Sequence, residues 1–572
     1  MADLQDVYSV LTFPGVPSLV QDDSTPSVAL ANAVNLNKMI ALLLDADSGP
    51  SVGTGGTLSF LPGGTYYFSG QITVGVNLAG NKRASSVILR GSAEQSRGAP
   101  VLVQLDTTVR FFYVNNSTVA GPTQNQIGGI IFQDLIITFA SAADSTGGVG
   151  IYVDGGSNVR ILRVTFDENP IAMWFANTLE CSVISADVRT QTLDTAIGMI
   201  LGDTSGDTAI ETYVANVTMA AYGSNSGGTA LLLYGAEHLR MNNVRLESWT
   251  NAIVFDVQAA YGNIEHCYFH NVSCLTAEAA VTMSVGSGQP PTAPTYIVEC
   301  WFAQCEFEPG GGVTDYLGGG VVINATDTND IIDQIRFVDC YSCLWAGPGL
   351  EVLGGTNIEV LGGYYSANGN TEVGPSPFSL SGIALAGAVS GVRISNVACN
   401  NSLFNIYGPD KDYATPTQLF GVYVGYGASN VRIRGCDLTG NKSHGVFIDG
   451  SFGEPSNVFV SDCDMTGVAT PVQVSTPVSN VQVTNCPGYN DSQTSAMHTT
   501  LPTGVFSASG YGYYGPASFY VVNTGVIGAV TGVLINGITT GLKTGAFFLA
   551  AGQSAQVTTS GMPTVSFSMI GQ

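Results

Sequence analysis

The sequence has few charged residues and little positive charge. Asp, Glu, Lys and Arg make up 11% of the 572 residues, whereas an ordinary soluble domain carries about 25%. Exposed helix faces need charged side chains, so this scarcity argues against a helical bundle. The chain has only 18 Lys and Arg residues but 43 Asp and Glu residues, which gives a formal net charge of −25. That balance excludes the basic face of a nucleic-acid-binding protein.

Long hydrophobic runs are absent as well. The longest apolar stretches, such as IALLL at 40–44 and AFFLAA at 546–551, are too short to cross a bilayer. The N-terminus, MADLQDVYSV, lacks the basic segment and the long apolar segment of a secretory signal. We therefore expect no membrane insertion and no signal peptide.

Hydrophobic residues and glycine are plentiful. The chain is 45% hydrophobic and 9% aromatic, which excludes an intrinsically disordered protein. Glycine contributes 71 residues, well above its usual level of about 7%. With so few charges, this composition predicts a large β protein whose surface is covered by uncharged polar groups.

One phrase recurs between about residues 158 and 490. It has the pattern N-V-x-[IV]-x-x-[C/V/G], as in NVRILRV at 158, NVRIRGC at 430 and NVFVSDC at 457. A short apolar strand precedes each copy, as in GIYVDG at 150. Units of about 23–27 residues cannot bury a core alone, so they must stack on one another. The repeat predicts an all-β fold, a right-handed parallel β-helix of about a dozen coils.

Cysteine occurs 11 times, an odd number. Six of these residues align at one inward position of the phrase: Cys267, Cys300, Cys340, Cys436, Cys463 and Cys486. We predict a stacked column of buried, reduced thiols, with disulfides between coils as the alternative. Cys340 and Cys343 form a CxxC pair, but no second pair lies at zinc-finger spacing, so we expect no metal site.

The N-terminal part carries a phrase that resembles a known family. A segment with helical apolar spacing at 27–47 precedes GGTLSFLPGGTYYFSGQITV at 55–74. Together with the coils that follow, it resembles the pectate-lyase-like superfamily of right-handed parallel β-helices, in particular the phage tailspike and depolymerase branch. The resemblance covers about residues 27–490 and implies that the helix caps the open end of the β-helix.

Three segments are predicted from these patterns. They are an N-terminal arm and capping helix over 1–54, the parallel β-helix over 55–491, and a C-terminal antiparallel β-sandwich over 492–572. The last segment resembles the modules that trimerise tailspike-like proteins, which implies a homotrimer.

The residue after the inward cysteine position points outward. In successive copies it is Tyr268, Trp301, Tyr341, Tyr364, Ala398, Asp437 and Asp464. Aromatic rings stack on pyranose faces and acids transfer protons, so we predict one column that binds sugar and leads to catalytic acids. Asp437 and Asp464 form the first candidate pair, and crowding would raise the pKa of one of them. Glu306 and Asp339 are further catalytic candidates, and the alternative is that these acids only solvate the coils.

A second outward column is rich in arginine. It holds Arg160, Arg240, Arg336, Glu359, Arg393 and Arg432. The structural interpretation is that the side-chain stems pack along the sheet and pair with acids. The functional alternative is a groove for an acidic polysaccharide, with Arg432 among the substrate-binding residues and an arginine as lyase base. In pectate lyases of the resembled superfamily such an arginine works beside Ca²⁺, and no matching cluster of acids is visible here.

The resemblance implies a tailspike-like protein of a phage tail or an extracellular location. We expect it to bind a bacterial surface polysaccharide and to hydrolyse it with paired carboxylates, without a cofactor. One alternative is a secreted lyase or hydrolase that acts on a plant or microbial glycan, and another is a non-catalytic glycan-binding or structural virion protein. The net charge of −25 favours a neutral or weakly charged glycan, unless the arginine column is exposed.

Overall fold

The fold is described from a computed structural model. Its described residues are 7–44, 55–74, 87–91, 98–115, 127–140, 147–190, 195–222, 228–257, 263–285, 295–310, 318–325, 331–369, 380–402, 418–475, 478–489, 506–507, 517–523, 530–535, 538–541, 545–549, 555–559, 565–566 and 569–570. The chain divides into two compact units, unit 1 at Met1–Trp345 and unit 2 at Ala346–Gln572. The division falls inside the segment predicted as β-helix.

A single α-helix in the described residues, Pro26–Leu43, lies near the start of unit 1. It begins at a proline, which suits the first helical turn because a backbone N–H at that position would have no partner within the helix. One face is buried and packs on the strands Thr65–Phe68 and Ile72–Val74. The Asn32 amide bonds to Val20 O at 2.9 Å and to Tyr67 O at 3.0 Å, which joins the helix to the neighbouring chain. A helix is thus present where the sequence predicts one, and its role as a cap of the β-helix stays a prediction.

The strands of unit 1 are short and follow one another around each coil. In chain order they are Val7–Ser9, Gly56–Phe60, Thr65–Phe68, Ile72–Val74, Val87–Gly91, Val101–Gln104, Arg110–Asn115, Ile127–Gly128, Ile131–Gln133, Ile136–Phe139, Val149–Asp154, Gly156–Ser157, Arg160–Leu162, Thr165–Asp167, Ile171–Ala176, Thr178–Leu179, Ser182–Ile184, Asp187–Thr190, Ile197–Leu201, Ala209–Ile210, Tyr213–Ala221, Thr229–Leu233, Ala236–Glu237, Arg240–Val257, Asn263–Glu265, Tyr268–Val285, Tyr296–Val298, Trp301–Ala303, Glu306–Pro309, Val321–Asn324, Ile331–Asp333, Arg336–Val338 and Tyr341–Cys343.

Unit 2 contains two kinds of strand. The parallel ones are Leu350–Thr356, Glu359–Leu361, Tyr364–Ser366, Ser381–Ser390, Arg393–Ser395, Phe420–Val424, Ser429–Arg434, His444–Asp449, Ser456–Ser461, Thr470–Ser475 and Ser479–Thr484. The antiparallel ones are Phe506–Ser507, Ala517–Asn523, Val530–Ile535, Ile538–Thr539, Gly545–Leu549, Ala555–Thr559, Val565–Ser566 and Met569–Ile570. The antiparallel strands form two sheets. Their packing as a sandwich and their role in trimerisation stay predictions.

Within each unit, every strand of the β-helix pairs in parallel with the equivalent strand one coil away. In one coil the strands Arg160–Leu162 and Thr165–Asp167 are separated by two residues, Arg163 with a left-handed φ of 52° and the buried Val164. Asn158 begins the same coil with φ 54°. Left-handed backbone is easiest for asparagine and glycine, which explains the asparagine that opens many copies of the phrase. Asparagines at a later left-handed turn of neighbouring coils also bond to each other, because Asn243 Nδ2 donates to Asn216 Oδ1 of the previous coil at 2.7 Å.

The interior is a set of stacked apolar columns. Phe302 is fully buried and lies parallel to Phe269, with ring centroids 4.5 Å apart, and to Phe337, at 5.1 Å. These spacings match the distance between neighbouring strands, about 4.8 Å. The all-β, parallel β-helix prediction is confirmed by this arrangement.

All eleven cysteines are free and buried, as predicted for reduced thiols. Their expected single column is wrong, however. Trp301 N bonds to Cys267 O and Arg336 N to Cys300 O, so these two cysteines lie in one interior column. Tyr341 N bonds to Cys305 O, which places Cys305 and Cys340 in a second. A coil has more than one left-handed turn residue, as at Asn158 and Arg163, and each is followed by an inward residue, so the same short phrase matches at more than one turn.

Candidate functional site

Five exposed or half-buried side chains form one line on the outside of unit 1, which we call the outward strip. Its members, paired in parallel register from coil to coil, are Tyr213, Arg240, Tyr268, Trp301 and Arg336. In each coil the strip residue comes two positions after a left-handed turn residue, so its side chain points to solvent while both its neighbours point inward. The predicted arginine column is confirmed here in unit 1, but it also carries aromatic rings.

The aromatic rings of the strip are accessible. Tyr213 is 39% exposed, Tyr268 38% and Trp301 41%. The Arg336 guanidinium lies 4.8 Å from the centre of the Trp301 ring. The Tyr268 and Trp301 rings are 6.2 Å apart and steeply inclined. These contacts orient the rings, and large exposed rings in a row are typical of a binding surface rather than of a solvated sheet.

Polar groups flank the rings on the same strands. The His270 ring lies between Asn242 Oδ1 and Gln304 Oε1, at 3.1 Å from each. It is nearly parallel to the Tyr268 ring, at 6.4 Å. Hydrogen-bonding groups beside stacking rings are the combination that a sugar requires, since its faces are apolar and its rim carries hydroxyls.

The turn that precedes the strip carries two histidines. The His238 and His266 rings stack with centroids 4.9 Å apart. His266 Nε2 lies 2.9 Å from a carboxylate oxygen of Glu299 one coil further on. All three residues occupy left-handed positions. The sequence gives no metal-ligand spacing here, and in the part of the chain that the structure describes no three His, Cys, Asp or Glu side chains are placed to hold a metal ion.

The predicted aromatic and acidic column is divided in the structure. Tyr268 and Trp301 belong to the outward strip, whereas Tyr341 pairs in register with Glu306, which pairs with Ser273. The expectation that all of them share one column is therefore wrong. The cysteines divide for the same reason. The repeated phrase matches after two different turns of a coil, so residues from two registers align in one column of the sequence.

The unit 2 part of that column has the expected register. Tyr364, Ala398, Asp437 and Asp464 follow one another from coil to coil. Tyr364 is 50% exposed. It is the predicted sugar-binding residue of this unit, and it lies in line with the two acids.

The carboxylates of Asp437 and Asp464 each stabilise a turn by accepting hydrogen bonds from the threonine two residues later. Asp437 Oδ1 accepts hydrogen bonds from Thr439 N at 3.0 Å and Thr439 Oγ1 at 2.7 Å, and Asp464 accepts the same pair from Thr466 at 2.9 and 2.6 Å. The side-chain and backbone hydrogen bonds from Thr466 lower the pKa of Asp464. This is opposite to the raised pKa that crowding was expected to give one member of the pair, so no such shift is found for Asp464.

The other predicted site residues are dispersed. A carboxylate oxygen of Glu306 accepts a hydrogen bond from Ser273 Oγ at 2.8 Å. Asp339 is exposed at a left-handed turn with φ 50°. Arg432 is exposed in unit 2 and pairs in register with Arg393 and Phe459. Their catalytic and binding roles stay predictions.

A cluster that the sequence did not predict lies on another face of unit 1. The rings of Tyr113 and Tyr152 are stacked 5.4 Å apart, and Trp174 meets Tyr152 edge-on at 4.9 Å. The Arg110 guanidinium lies 3.9 Å from the Tyr152 ring centre. Tyr113 Oη donates to Asp154 Oδ2 at 3.1 Å. The signal was present in the strand before each phrase, where FYV, IYV and MWF place an aromatic residue outward.

Asp154 has the environment of a proton donor. Burial raises the pKa of Asp154, the hydrogen bond from Tyr113 and the charge of Arg110 oppose this, and the charge of Asp203 raises the pKa further. The pKa of Asp207 is also raised, chiefly by burial and then by Asp203. Asp203 Oδ1 is fixed by Ser205 N at 2.8 Å and by Asp207 N at 3.1 Å. A half-buried carboxyl beside other carboxylates is suited to proton transfer.

Comparison with known proteins agrees with the fold. The family described as right-handed β-helix region matches residues 295–487. The chain is a right-handed parallel β-helix protein. No curated protein matches its sequence. In the residues that the structure describes, no helix is long and apolar enough to span a membrane.

Two solved structures of one tailspike protein share this fold. A substituted form of the tailspike protein of E. coli bacteriophage HK620, in complex with a pentasaccharide, is 10% identical, with a TM-score of 0.57 over 98% of this chain and 92% of that one. A further structure of the HK620 tailspike with a pentasaccharide gives 10% identity, the same coverage and a TM-score of 0.54. Bacteriophage CBA120 tailspike protein 3 is 13% identical over 87% of this β-helix chain and 65% of that one, with a TM-score of 0.37.

Proposed function

We propose that this β-helix protein binds a bacterial cell-surface polysaccharide along the outward strip and cleaves it by glycoside hydrolysis. The observation that carries the proposal is the row of exposed rings at Tyr213, Tyr268 and Trp301, interleaved with arginine on successive coils. Coils are about 4.8 Å apart, so a glycan that runs along the strip meets a new side chain at each coil. The fold is shared with a tailspike protein whose structure contains a pentasaccharide, which supports a glycan ligand.

Hydrolysis needs one protonated and one ionised carboxyl group. Asp154 is the first candidate for the acid, because it is half-buried beside Asp203 and has a raised pKa. It lies on another face of unit 1, so the proposal requires a polysaccharide chain long enough to contact both the outward strip and Asp154. The sequence-predicted candidates Asp437, Asp464, Glu306 and Asp339 are the comparison set. We further propose a location in a phage tail or outside the cell, and assembly as a homotrimer through the C-terminal strands. Sedimentation at three times 59.3 kDa would support that assembly.

Incubation with purified capsular and O-polysaccharides tests the activity. The wild-type protein should shorten one of them and release reducing ends without an ultraviolet-absorbing double bond. Asp154→Asn should slow cleavage about 100- to 10,000-fold and leave glycan binding intact, and Glu306→Gln, Asp437→Asn and Asp464→Asn are assayed beside it. Unsaturated products would establish a lyase instead. Binding without shortening would establish a non-catalytic protein, and absence of both would refute the proposal.

A further inference from the structure

We infer that the polysaccharide bound by the outward strip is acidic, and that Arg240 holds a carboxylate of a sugar seated on Tyr268. This rests on the proposed function and adds the chemical class of the substrate. It also resolves the alternative left by the sequence, where the negative net charge favoured a neutral glycan unless the arginine column was exposed.

Arg240 has no acidic partner among the described residues. Several other exposed arginines are paired with acids: Arg163 with Asp134 at 2.6 Å, Arg245 with Glu247 at 2.9 Å, Arg393 with Glu359 at 3.1 Å and Arg434 with Asp462 at 3.3 Å. Arg90 and Arg432 also form no ion pair in the described structure, but neither lies in the outward strip of unit 1. Arg240 is exposed, and among the described residues it has neither an ion pair nor a hydrogen bond to its side chain. In a chain with 43 acidic and 18 basic residues, an arginine without an acidic partner is available to an external anion.

The neighbours of Arg240 favour a sugar carboxylate over an inorganic anion. In the strip it lies between Tyr213 and Tyr268, so an anion at its guanidinium would be flanked by rings on both sides. Arginine binds carboxylates through two parallel N–H donors, while the rings supply stacking for the attached pyranose. Three of the five histidines, His238, His266 and His270, also lie in this coil and the next one.

Acidic groups near the strip limit how much negative charge the ligand can carry. Glu237 and Glu265 end the strands just before the histidine turn, and Glu299 follows in the next coil. A carboxylate oxygen of Glu299 lies 2.9 Å from the His266 ring. A densely charged polyanion would meet repulsion from these residues. The strip therefore fits a glycan with isolated uronic-acid-type carboxylates separated by neutral sugars.

The test uses the full-length protein in the Asp154→Asn background, so that glycans are not consumed. The probes are purified bacterial capsular and O-polysaccharides, each in its native form and after chemical reduction of its carboxyl groups to alcohols. Calorimetry measures the affinity of each polysaccharide for the protein with Arg240 intact and for the Arg240→Gln and Arg240→Lys variants. Arg90→Gln is the control, because Arg90 is also exposed but lies outside the strip.

For the glycan that binds, Arg240→Gln should weaken affinity about 10- to 100-fold. Carboxyl reduction should weaken wild-type binding by a similar factor and should have little further effect on Arg240→Gln, because both changes remove the same contact. Arg240→Lys should lose part of the affinity, and Arg90→Gln none. Equal binding of native and reduced glycan would overturn the inference and leave the proposed function standing. If no glycan of either kind binds, both are refuted.

Discussion

Trp301 offers the sharpest test of the outward strip as a glycan platform. We predict that Trp301→Ala removes most of the affinity for the polysaccharide while the β-helix stays folded. The indole is 41% exposed, so it belongs to the surface and not to the core, and the inward residue beside it, Phe302, remains in place. The substitution therefore separates binding from folding.

The magnitudes follow from the contacts of the indole. The substitution removes the cation–π contact between the indole and the Arg336 guanidinium at 4.8 Å, which stabilises the fold by about 0.5–1 kcal/mol at an exposed site. The substitution also removes the edge-to-face contact with the Tyr268 ring at 6.2 Å, which contributes about 0.5–1.5 kcal/mol. The stability cost is thus about 1–2.5 kcal/mol. A tryptophan at the centre of a binding surface contributes at least about 2 kcal/mol, so affinity should fall about 30-fold or more.

The assay is calorimetric titration with the polysaccharide, with far-ultraviolet circular dichroism as the check on folding. Phe452→Ala is the matched control, because Phe452 is 76% exposed and lies in unit 2, outside the strip. It should change affinity less than about twofold. If Trp301→Ala binds as tightly as this control, the strip is not the platform.

Three further predictions concern the acid, the core and the thiols. Tyr113→Phe removes the hydrogen bond that lowers the pKa of Asp154, so that pKa should rise further. If Asp154 is the acid, the loss of activity with rising pH then shifts to higher pH in a pH–rate profile. Phe302→Ala opens a cavity in the phenylalanine stack and should cost about 3–5 kcal/mol in denaturant unfolding. The eleven thiols should react with a thiol reagent only on unfolding, because all are buried and burial raises the pKa of Cys181 to about 12.

Each of these three can fail clearly. An unchanged pH profile in Tyr113→Phe would remove Asp154 from the role of acid. Tyr152→Phe is the control, because in the described structure Tyr113 donates a hydrogen bond to Asp154 and Tyr152 does not. Unaltered unfolding of Phe302→Ala would contradict the stacked core. Labelling of the native protein at the rate of a free thiol would contradict the buried columns.

Much of the fold is predictable from local sequence because the β-helix repeats a local conformation. Asparagine favours the left-handed turn, and the alternation after it sends Val159 and Ile161 inward and Arg160 outward. A unit with one buried face must stack, so the period of the phrase is enough to predict parallel coils. The few charges have the same origin, since the turn positions are satisfied by amide ladders such as Asn243 to Asn216.

The candidate site was only partly predictable. The sequence predicts that Tyr268, Trp301 and the arginines point outward, but in two columns, whereas in unit 1 they share one. The seven-residue phrase fits after either turn of a coil, and only pairing between coils selects the register.

By itself the sequence determined the repeat, the parallel β-helix, the buried reduced cysteines and the residue types that face solvent. Tertiary structure alone decided which of those residues are neighbours. Asp154 meets Tyr113 from the previous coil and is influenced by Asp203 from a later one, although each is more than forty residues from it in sequence. Parallel stacking brings residues together at the coil spacing of about 4.8 Å regardless of how many residues each loop adds. These contacts therefore cannot be predicted from the separation of the residues in the sequence.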